Sequence, residues 1–388
     1  MTEDVVVLGS GYAGTGAVMS LEDELNGEAD VTWISDVPHH LVLHESHRCI
    51  RDPSVQDKIT FDCEDIAGSA TRFVQGTVEN VEPDERTIDL ADGSTVDYDY
   101  LVVGFGSRTA FFGIDGLKEH SLTLKSLDDA LEVHEEVKEA ARQASRNDPA
   151  QVVVGGAGLS GIQSAGEIAE FRDRHRAPID IHLVEGLDNV FPNNDPVVQA
   201  KLHNLLEDAD VNIMTGEFIG EVDEETVYVG DDTELDYDVL LWTGGITGRE
   251  PAANTDLDQD ERSHRIHAAS DFQTDDERVF ALGDAALVDQ GENPAPPTAQ
   301  AAWQAAEVVG ENVARTIRGQ PLEEWRYKDK GTLISVGDDA VAHNVMGVKA
   351  VSRTFGGPLA ETLKKGVAAR WINDVAGPIA AAKAWPDM

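Results

Sequence analysis

The sequence predicts an α/β protein of two Rossmann-type units, the second inserted in the first, with a short membrane-facing segment at the end. Two observations carry this prediction. A buried strand runs into a Gly-x-Gly-x-x-Gly turn and then a helix at 5–25, and the same order recurs at 151–174. Each unit later has a second buried strand that ends in glycines, at 97–106 and 236–245. Two copies of one fold account for this internal repeat.

The order of the strands predicts the domain bounds. The segment Val-Phe-Ala-Leu-Gly-Asp at 279–284 follows the second copy, so the chain has to return to the first unit. We therefore predict a discontinuous domain, an inserted domain and a C-terminal segment. They span residues 1–112 with 246–331, residues 113–245, and residues 332–388 with an amphipathic helix.

The composition excludes several classes of function. The 388 residues carry a formal charge of −43, which repels nucleic acid and is typical of a halophile's surface. No apolar run is long enough to span a bilayer, and the N-terminus enters a strand without a signal segment, so we expect a cytoplasmic protein. The two cysteines exclude a disulfide framework. His39, His40, His44, His47 and Cys49 lack a recognised ligand spacing, so no metal site is predicted.

The glycines of the two motifs predict two dinucleotide sites. In such a motif the first glycine makes a tight turn, the second lets the backbone approach a pyrophosphate, and the third lets helix meet strand. The N-terminus of the following helix faces the phosphates. The predicted cofactor-binding glycines are Gly9, Gly11 and Gly14 in the first unit and Gly156, Gly158 and Gly161 in the second.

Acidic residues follow the strands at the expected spacing. Glu185 ends the strand at 179–184, where a carboxylate bonds a ribose 2′-OH and repels a 2′-phosphate, so NADH is favoured over NADPH. The strand at 31–34 arguably ends at Ser35, which puts Asp36 one place late, where it is either a ribose ligand or a solvated loop acid. Asp284 is either a ligand of a flavin's ribityl hydroxyls or a helix N-cap.

The chain resembles the flavoproteins with two dinucleotide-binding domains, and within them type II NADH dehydrogenase, the single-subunit NADH:quinone oxidoreductase. The resemblance runs nearly end to end. Its segments are VVVLGSGYAG at 5–14, DYDYLVVGFGSRTAFFGIDGLKEHSLTLKSLDDAL at 97–131, VVVGGAGLSG at 152–161, LLWTGG at 240–245, VFALGDAAL at 279–287, PPTAQAAWQ at 296–304 and YKDKGTLISVG at 327–337. The segment AQAAWQ at 299–304 matches that family's AQxAxQ quinone motif.

The resemblance implies a role for each matching residue. FAD would be held by Gly9, Gly11, Gly14, Asp36, Gly106, Gly283, Asp284, Ala299 and Gln300, and NADH by Gly156, Gly158, Gly161, Glu185 and Gly244. Gln300 and Gln304 would lie at the flavin edge where quinone docks, and Lys330 with Gly331 would approach the isoalloxazine. The alternative for the two glutamines is a solvent-facing pair on an alanine-rich helix.

One position departs from the family. The family usually has Glu two residues after the last glycine of the second motif, near the nicotinamide, and this chain has Gln163. An amide keeps hydrogen-bonding capacity but carries no charge. We count Gln163 with Gln300, Gln304 and Lys330 among the candidate catalytic residues.

The implied activity is transfer of a hydride from NADH to FAD and of two electrons to a membrane quinone, without proton pumping. One alternative is a soluble NAD(P)H-dependent reductase of a small redox protein. Another is a low-turnover regulator that binds flavin and NADH, which Gln163 makes credible. A sulfide:quinone oxidoreductase is disfavoured because it needs cysteines from the second unit and the C-terminal region, and neither has one.

The C-terminal segment differs in charge from the rest of the chain. Residues 341–388 contain six Lys and Arg, including Lys349, against three Asp and Glu. Leu359, Leu363, Val367 and Trp371 form one helical stripe with Lys364 at its edge. This pattern is typical of a helix lying in a membrane surface, which places the protein on the cytoplasmic face of the cell membrane. The alternative is a helix docked on the protein itself or on the other subunit of a homodimer.

Overall fold

The computed structural model describes residues 2–347 and 353–388, so Lys349 lies outside the described residues. The chain divides into two compact units. The first unit comprises Met1–Val42, Thr60–Arg108 and Ile246–Asp329, and the second comprises Leu43–Ile59, Thr109–Gly245 and Lys330–Met388. These units divide the chain at other residues than the predicted domain bounds, which stay a prediction.

The strands alternate with helices along most of the chain. In chain order the strands are β1 (Glu3–Leu8), β2 (Ala29–Ser35), β3 (His39–Leu41), β4 (Thr60–Asp62), β5 (Thr71–Gln75), β6 (Val78–Glu82), β7 (Thr87–Leu90), β8 (Thr95–Asp97), β9 (Tyr100–Val103), β10 (Ser107–Thr109), β11 (Ala150–Gly155), β12 (Ile179–Glu185), β13 (Val211–Thr215), β14 (Ile219–Val222), β15 (Thr226–Val229), β16 (Thr233–Asp236), β17 (Val239–Trp242), β18 (Ile246–Gly248), β19 (Ile266–Ala268), β20 (Val279–Ala281), β21 (Ala286–Val288), β22 (Thr332–Val336), β23 (Asp339–His343) and β24 (Thr354–Gly356).

The helices vary from single turns to long elements. In chain order they are α1 (Tyr12–Leu25), α2 (Arg48–Arg51), α3 (Gln56–Ile59), α4 (Cys63–Ile66), α5 (Leu117–His120), α6 (Leu127–Gln143), α7 (Leu159–His175), α8 (Pro196–Asp208), α9 (Glu250–Asn254), α10 (Ala299–Ile317) and α11 (Pro358–Ala384).

The first unit is built on a five-stranded parallel sheet in the order β20-β9-β1-β2-β5. Its central strand β1 contains Val5, Val6 and Val7, which are buried on both faces of the sheet, as expected of a parallel sheet covered on both sides. A three-stranded antiparallel meander, β6-β7-β8, follows in the same unit.

The second unit repeats this plan. Its parallel sheet has the order β13-β12-β11-β17, and β14-β15-β16 form the antiparallel meander. The central strand β11 contains Val152, Val153 and Val154, and all three are fully buried. The predicted α/β class with two Rossmann-type units is therefore confirmed.

The C-terminal region belongs to the second compact unit. Strands β22, β23 and β24 form an antiparallel sheet. Helix α7 lies so close to this sheet that a Cβ on Gly166 would be 2.4 Å from the backbone nitrogen of Gly337.

Helix α11 differs from the predicted interfacial stripe. Trp371 is buried, and so is Lys364, which the sequence placed at the edge of the stripe, whereas Leu359 and Val367 are exposed. The helix breaks at Gly377, whose φ of +82° is left-handed, and Pro378 follows. None of the helices formed by the described residues is long and apolar enough to cross a membrane.

Candidate functional site

The first glycine loop lies between β1 and α1 and has the form of a phosphate cradle. Gly9 has a φ of +96°, and a Cβ on Gly14 would lie 1.9 Å from the carbonyl oxygen of Gly9, so both positions require glycine. Around Gly11, in contrast, no heavy atom lies within 4 Å of where a Cβ would stand. This open space in front of the N-terminus of α1 fits the pyrophosphate of a dinucleotide.

Two buried aromatic side chains hold the carbonyl groups of this loop. The indole Nε1 of Trp33 donates to the oxygen of Gly9 at 2.8 Å, and His40 Nδ1 donates to the oxygen of Ser10 at 2.7 Å. Both Trp33 and His40 are fully buried. Because the carbonyls are bonded within the protein, the loop keeps its turn independently of a ligand.

The predicted acids of the first unit are engaged with other side chains. Asp36 follows the last residue of β2, and its Oδ2 lies 2.6 Å from Arg249 Nη2, which fixes the orientation of the carboxylate. Asp284 lies in the turn after β20, and its Oδ2 accepts a hydrogen bond from the hydroxyl of Ser107 at 3.0 Å. Both remain candidates for the ribose and the ribityl chain.

The other predicted flavin residues lie at turns or helix ends of the first unit. Gly106 and Gly283 have φ values of +75° and +67°, and a Cβ on Gly283 would lie 2.9 Å from Ala13 Cβ. Ala299 is the first residue of α10, and the hydroxyl of Thr298 caps this helix. The left-handed backbone at Gly106 and Gly283 therefore favours glycine at both positions, which is consistent with close approach of a ligand.

The two glutamines of α10 lie on one face of that helix, as their spacing predicts. Tyr327 donates its hydroxyl hydrogen to Gln300 Oε1 at 3.1 Å. Gln304 is bonded at both ends to the backbone of Lys328, with Nε2 donating at 3.0 Å and Oε1 accepting at 3.3 Å. Gln304 thus secures the segment after Tyr327, and neither side chain simply faces solvent.

The second glycine loop, between β11 and α7, has the same cradle. Gly156 has a φ of +92°, and a Cβ on Gly161 would lie 1.8 Å from the oxygen of Gly156. No heavy atom lies within 4 Å of a Cβ on Gly158. The hydroxyl of Thr243 lies within hydrogen-bonding distance of the oxygens of Gly155 and Gly156, at 3.0 and 2.9 Å.

The carboxylate of Glu185 is tied to this second loop. Glu185 is the last residue of β12, and its Oε2 accepts a hydrogen bond from the backbone N–H of Ala157 at 2.8 Å. Its Oε1 accepts from the N–H of Leu187 at 3.0 Å. The acid is therefore held beside the cradle. Gly244, the other predicted residue, passes close to Gly156, since a Cβ on Gly156 would be 3.1 Å from Gly244 Cα.

Gln163 lies on the first turns of α7 and is buried. Its Nε2 donates to Ser335 Oγ at 3.2 Å and lies 3.2 Å from His47 Nε2. Burial lowers the pKa of His47 well below its usual value, so this imidazole is neutral. The amide of Gln163 is thus part of a neutral, buried hydrogen-bonding group.

A buried ionic cluster, which sequence reasoning missed, lies in the second unit. It consists of Glu45, Arg48, Arg51, Glu167 and Lys364. Glu45 contacts Arg48 at 2.5 Å and Lys364 at 3.0 Å, and Glu167 contacts Arg51 at 3.0 Å. The only local signal was the i,i+3 spacing of Glu45 and Arg48.

The two carboxyls of the cluster have opposite pKa shifts. Burial raises the pKa of Glu167 to about 7, although Arg51 and Arg48 oppose this effect. Burial also acts on Glu45, but the charges of Lys364 and Arg48 outweigh it, so the pKa of Glu45 is lowered. Glu45 is therefore the ionised carboxyl of the cluster, and Glu167 exchanges its proton near neutral pH.

The remaining candidates are placed as follows. Lys330 is exposed, its carbonyl oxygen accepts from the N–H of Met346 at 3.0 Å, and Gly331 has a φ of +99°. Cys49 and Cys63 are free, and burial raises the pKa of both thiols to about 12. In the described part of the chain, His, Cys, Asp and Glu form no group that could hold a metal ion.

The chain is similar to known proteins along most of its length. The profile of the family described as pyridine nucleotide-disulphide oxidoreductase matches residues 3–306. The type II NADH:quinone oxidoreductase of Staphylococcus aureus is 26% identical over 96% of this chain and 96% of its own length. That of Staphylococcus saprophyticus is equally similar, with 26% identity and the same coverage of both chains.

Solved structures share the fold. The NDH2 of Plasmodium falciparum, solved in complex with NADH, superposes with a TM-score of 0.85 at 16% identity, covering 100% of this chain and 98% of that one. The sulfide:quinone oxidoreductase of Aquifex aeolicus gives a TM-score of 0.80 at 18% identity, with 97% and 92% covered. At these identities the similarity shows a common fold alone.

Proposed function

The chain belongs to the pyridine nucleotide-disulphide oxidoreductase family, and on that basis we propose that it is an FAD-dependent NADH:quinone oxidoreductase. The observation that carries the proposal is the pair of glycine cradles, each with a carboxylate at the end of the neighbouring strand, at Asp36 and Glu185. The similarity to the staphylococcal type II enzymes over almost the full length supports the same activity.

The residues of the first unit fit FAD. The open space at Gly11 would receive the pyrophosphate, Asp36 would accept the ribose hydroxyls, and Asp284 would accept the ribityl hydroxyls. When bound, FAD takes a hydride from NADH and passes two electrons to the quinone. The protein supplies binding and orientation for this chemistry and needs no side-chain nucleophile.

The residues of the second unit fit NADH. Gly158 leaves space for the pyrophosphate, and the carboxylate of Glu185 is fixed beside it. A carboxylate at this position accepts hydrogen bonds from the 2′-OH of the adenosine ribose and repels a 2′-phosphate. NADH is therefore the expected donor and NADPH the poor one.

The acceptor site is proposed at the N-terminal turns of α10. Gln300 would donate N–H to a quinone carbonyl as that oxygen gains electron density, without adding charge. Gln304 would act as a positioning residue, because its amide is already bonded at both ends to Lys328. Gln163 and Lys330 are retained as candidate residues at the nicotinamide and the flavin.

The exposed part of α11 indicates what this helix binds. Leu359, Val367 and Ile379 are exposed apolar side chains, and Lys365 and Arg370 lie on the same helix. An exposed apolar surface with basic residues favours binding in the plane of a membrane, on its cytoplasmic face. A homodimer contact through this helix is the alternative and would be detected by sedimentation of the detergent-free protein.

The experiment that tests the function separates the two half-reactions. The holoprotein is mixed anaerobically with NADH or NADPH in a stopped-flow instrument, and a soluble quinone is added in a second mix. We expect rapid flavin bleaching with NADH, slow bleaching with NADPH, and reoxidation by the quinone. Absence of bleaching with either nucleotide indicates a binding protein, and bleaching without quinone reoxidation indicates a reductase of another acceptor.

The glutamines are tested in the same assay. Gln300→Ala should slow reoxidation by quinone about ten- to hundredfold while leaving bleaching by NADH unchanged, since a lost hydrogen bond to a charged group is worth about 1.5–3 kcal/mol. Gln304→Ala should have the smaller effect. If both variants slow bleaching as much as reoxidation, the acceptor site lies elsewhere.

A further inference from the structure

An exposed aromatic ring lies beside the acid of the second unit. Phe218, between β13 and β14, has 67% of its surface exposed. Its ring packs on Gly186, the residue that follows Glu185, so tightly that a Cβ on Gly186 would be 2.3 Å from Phe218 Cδ1. One part of the ring is thus fixed against backbone, while most of it is open to solvent.

Backbone hydrogen bonds keep this ring in register with Glu185. The N–H of Gly216 donates to the carbonyl oxygens of Glu185 and Leu187, both at 3.0 Å. The carbonyl oxygen of Phe218 accepts from the N–H of Gly230 at 2.9 Å. The loop 216–218 is therefore anchored on both sides, and the position of the ring does not depend on a ligand.

The ring and the carboxylate together match the chemistry of an adenosine. The carboxylate of Glu185 is placed for ribose hydroxyls, and the base attached to that ribose is a flat purine. Purines stack on aromatic side chains, and such a contact contributes substantially to the binding of each base. A single exposed Phe is normal on a protein surface. A Phe that is held in place beside Glu185, the proposed ribose-binding acid, indicates a role in binding.

We propose that Phe218 is a positioning residue that stacks on the adenine of NADH and so fixes the adenosine half of the donor. This inference rests on the proposed NADH site of the second unit. Glu217 precedes Phe218 in the sequence, and Asp188 lies near the start of the same loop, since Asp188 Oδ1 would be 3.8 Å from a Cβ on Gly216. With Glu185 these acids make the site suited to a neutral adenosine and unfavourable for a 2′-phosphate.

The test measures binding of the adenosine half alone. The dissociation constant of ADP-ribose is determined calorimetrically for the FAD-loaded holoprotein and for its variants. Phe218→Ala should weaken binding by roughly five- to hundredfold, the range expected when a base–aromatic stack is lost. Phe218→Tyr should bind within about twofold of the unmodified protein because the ring remains, and Phe218→Leu, which keeps bulk without a ring, should resemble the alanine variant.

A matched control exists in the same unit. Phe112 is 69% exposed and likewise packs on a glycine after a strand, since a Cβ on Gly245 would be 2.3 Å from Phe112 Cζ. In the sheet order β13-β12-β11-β17, Phe112 lies beyond the end of β17, and β11 separates β17 from β12, the strand that ends at Glu185. Phe112→Ala should leave the ADP-ribose constant unchanged. If it weakens binding as much as Phe218→Ala, the proposal is overturned.

Kinetics with a shortened donor complete the test. Reduced nicotinamide mononucleotide has no adenosine, so Phe218→Ala should raise the KM for NADH and leave the KM for the mononucleotide unchanged.

The outcomes for this inference and for the proposed function can be told apart. If NADH bleaches the flavin but Phe218→Ala leaves the dissociation constant of ADP-ribose unchanged, only this inference is overturned. If NADH does not bleach the flavin while ADP-ribose binds in a Phe218-dependent way, the proposed function fails and the adenosine site stands. Absence of ADP-ribose binding to the unmodified protein overturns the inference.

Discussion

The two glycine loops have the same shape and are held by different means. In the first loop the carbonyl groups are bonded by Trp33 and His40, which are buried and have no predicted contact with a ligand. In the second loop the hydroxyl of Thr243 bonds the carbonyls, and the carboxylate of Glu185 accepts the N–H of Ala157. The second loop is thus held by the residue expected to select the ligand.

This difference teaches that binding and loop geometry are separable in the first unit and coupled in the second. A change at Asp36 should affect mainly the ribose contact, because its carboxylate is oriented by Arg249 at 2.6 Å and is connected to the loop only through the hydroxyl of Ser35, at 3.4 Å. A change at Glu185 should also loosen the backbone at Ala157. The first arrangement would suit a flavin that stays bound, and the second would suit a nicotinamide dinucleotide that exchanges in each turnover.

The helices that follow the two loops also differ in the contacts that hold them in place. Six residues after the last glycine of the first motif stands Ser20, whose hydroxyl bonds the oxygen of Glu307 where α1 packs on α10. At the matching position of the second motif stands Glu167, buried among Arg48 and Arg51. Helix α1 packs closely on α10, since a Cβ on Gly310 would be 2.4 Å from Ser20 Oγ, whereas α7 is fixed by buried charge.

The largest effect is expected at the third glycine of each motif. Gly161→Ala should raise the KM for NADH about hundredfold or more while FAD is retained, because a Cβ would overlap the oxygen of Gly156 and shift the loop. Gly14→Ala should instead yield protein that lacks flavin. The flavin absorbance of the purified variants and their NADH titrations check both expectations.

A control at the second glycine separates folding from binding. Gly158→Ala should leave the melting temperature unchanged, because its Cβ would enter open space, and should weaken NADH binding, since that space is where the phosphates fit. If Gly158→Ala binds NADH normally, the pyrophosphate does not occupy this cradle.

The buried charge of the second unit predicts a pH dependence of stability. The Glu167 carboxyl has a pKa of 4.5 when unfolded and about 7 when folded, so between these values the folded chain binds more protons. The contribution of Glu167 to the free energy of unfolding should therefore fall by up to about 3 kcal/mol as the pH rises from 4.5 to 7, whereas His47, whose pKa burial lowers, contributes in the opposite direction. Glu167→Gln should remove this fall in denaturant titrations.

Asp173 on the same helix provides the matched control. It is exposed, so Asp173→Asn should keep the pH dependence of the unmodified protein. Parallel curves for the unmodified protein and Glu167→Gln would show that Glu167 is not a source of this pH dependence.

A smaller effect is expected from changing the charge of Glu185. Glu185→Gln keeps an acceptor for the N–H of Ala157 and removes the charge, so it should relax the preference for NADH over NADPH about tenfold with little change in the KM for NADH. Glu185→Ser loses both features and should also raise that KM. The ratio of kcat/KM values for the two donors is the measurement, and an unchanged ratio in both variants would refute the assignment.

The smallest effect is expected from removing the hydrogen bond by which Trp33 holds the first glycine loop. Trp33→Phe keeps the buried ring and removes the N–H that bonds the oxygen of Gly9, at a cost of about 1–2 kcal/mol. Flavin should dissociate several times faster on dialysis, while the KM for NADH of the reloaded enzyme stays constant. A raised KM with normal flavin retention would mean that Trp33 does not act through the first loop.

Local patterns in the sequence predicted the parts of the site that depend on neighbouring residues. The spacing of the glycines predicted both cradles, and the end of a strand predicted the place of Glu185, because a turn and a strand end are determined over a few residues. The spacing of Gln300 and Gln304 also predicted their common helix face.

Contacts between distant parts of the chain could not be predicted in this way. Glu45 and Lys364 are 319 residues apart, and nothing in either segment marks them as partners. The stripe of Leu359 and Trp371 has the spacing of any amphipathic helix, and periodicity does not reveal whether the apolar side meets lipid or protein. The structure buries Trp371 and leaves Leu359 exposed.

The ion pair of Lys364 with Glu45 has a consequence for protein engineering. A chain shortened before Pro358, made to test the proposed membrane contact, would also lose one of the two cations that contact the fully buried carboxylate of Glu45. Removal of one partner of a buried ion pair costs about 3–5 kcal/mol. Polar replacements of Leu359 and Ile379, which are exposed on the same helix, leave the ion pair intact and are the safer test of the proposed contact.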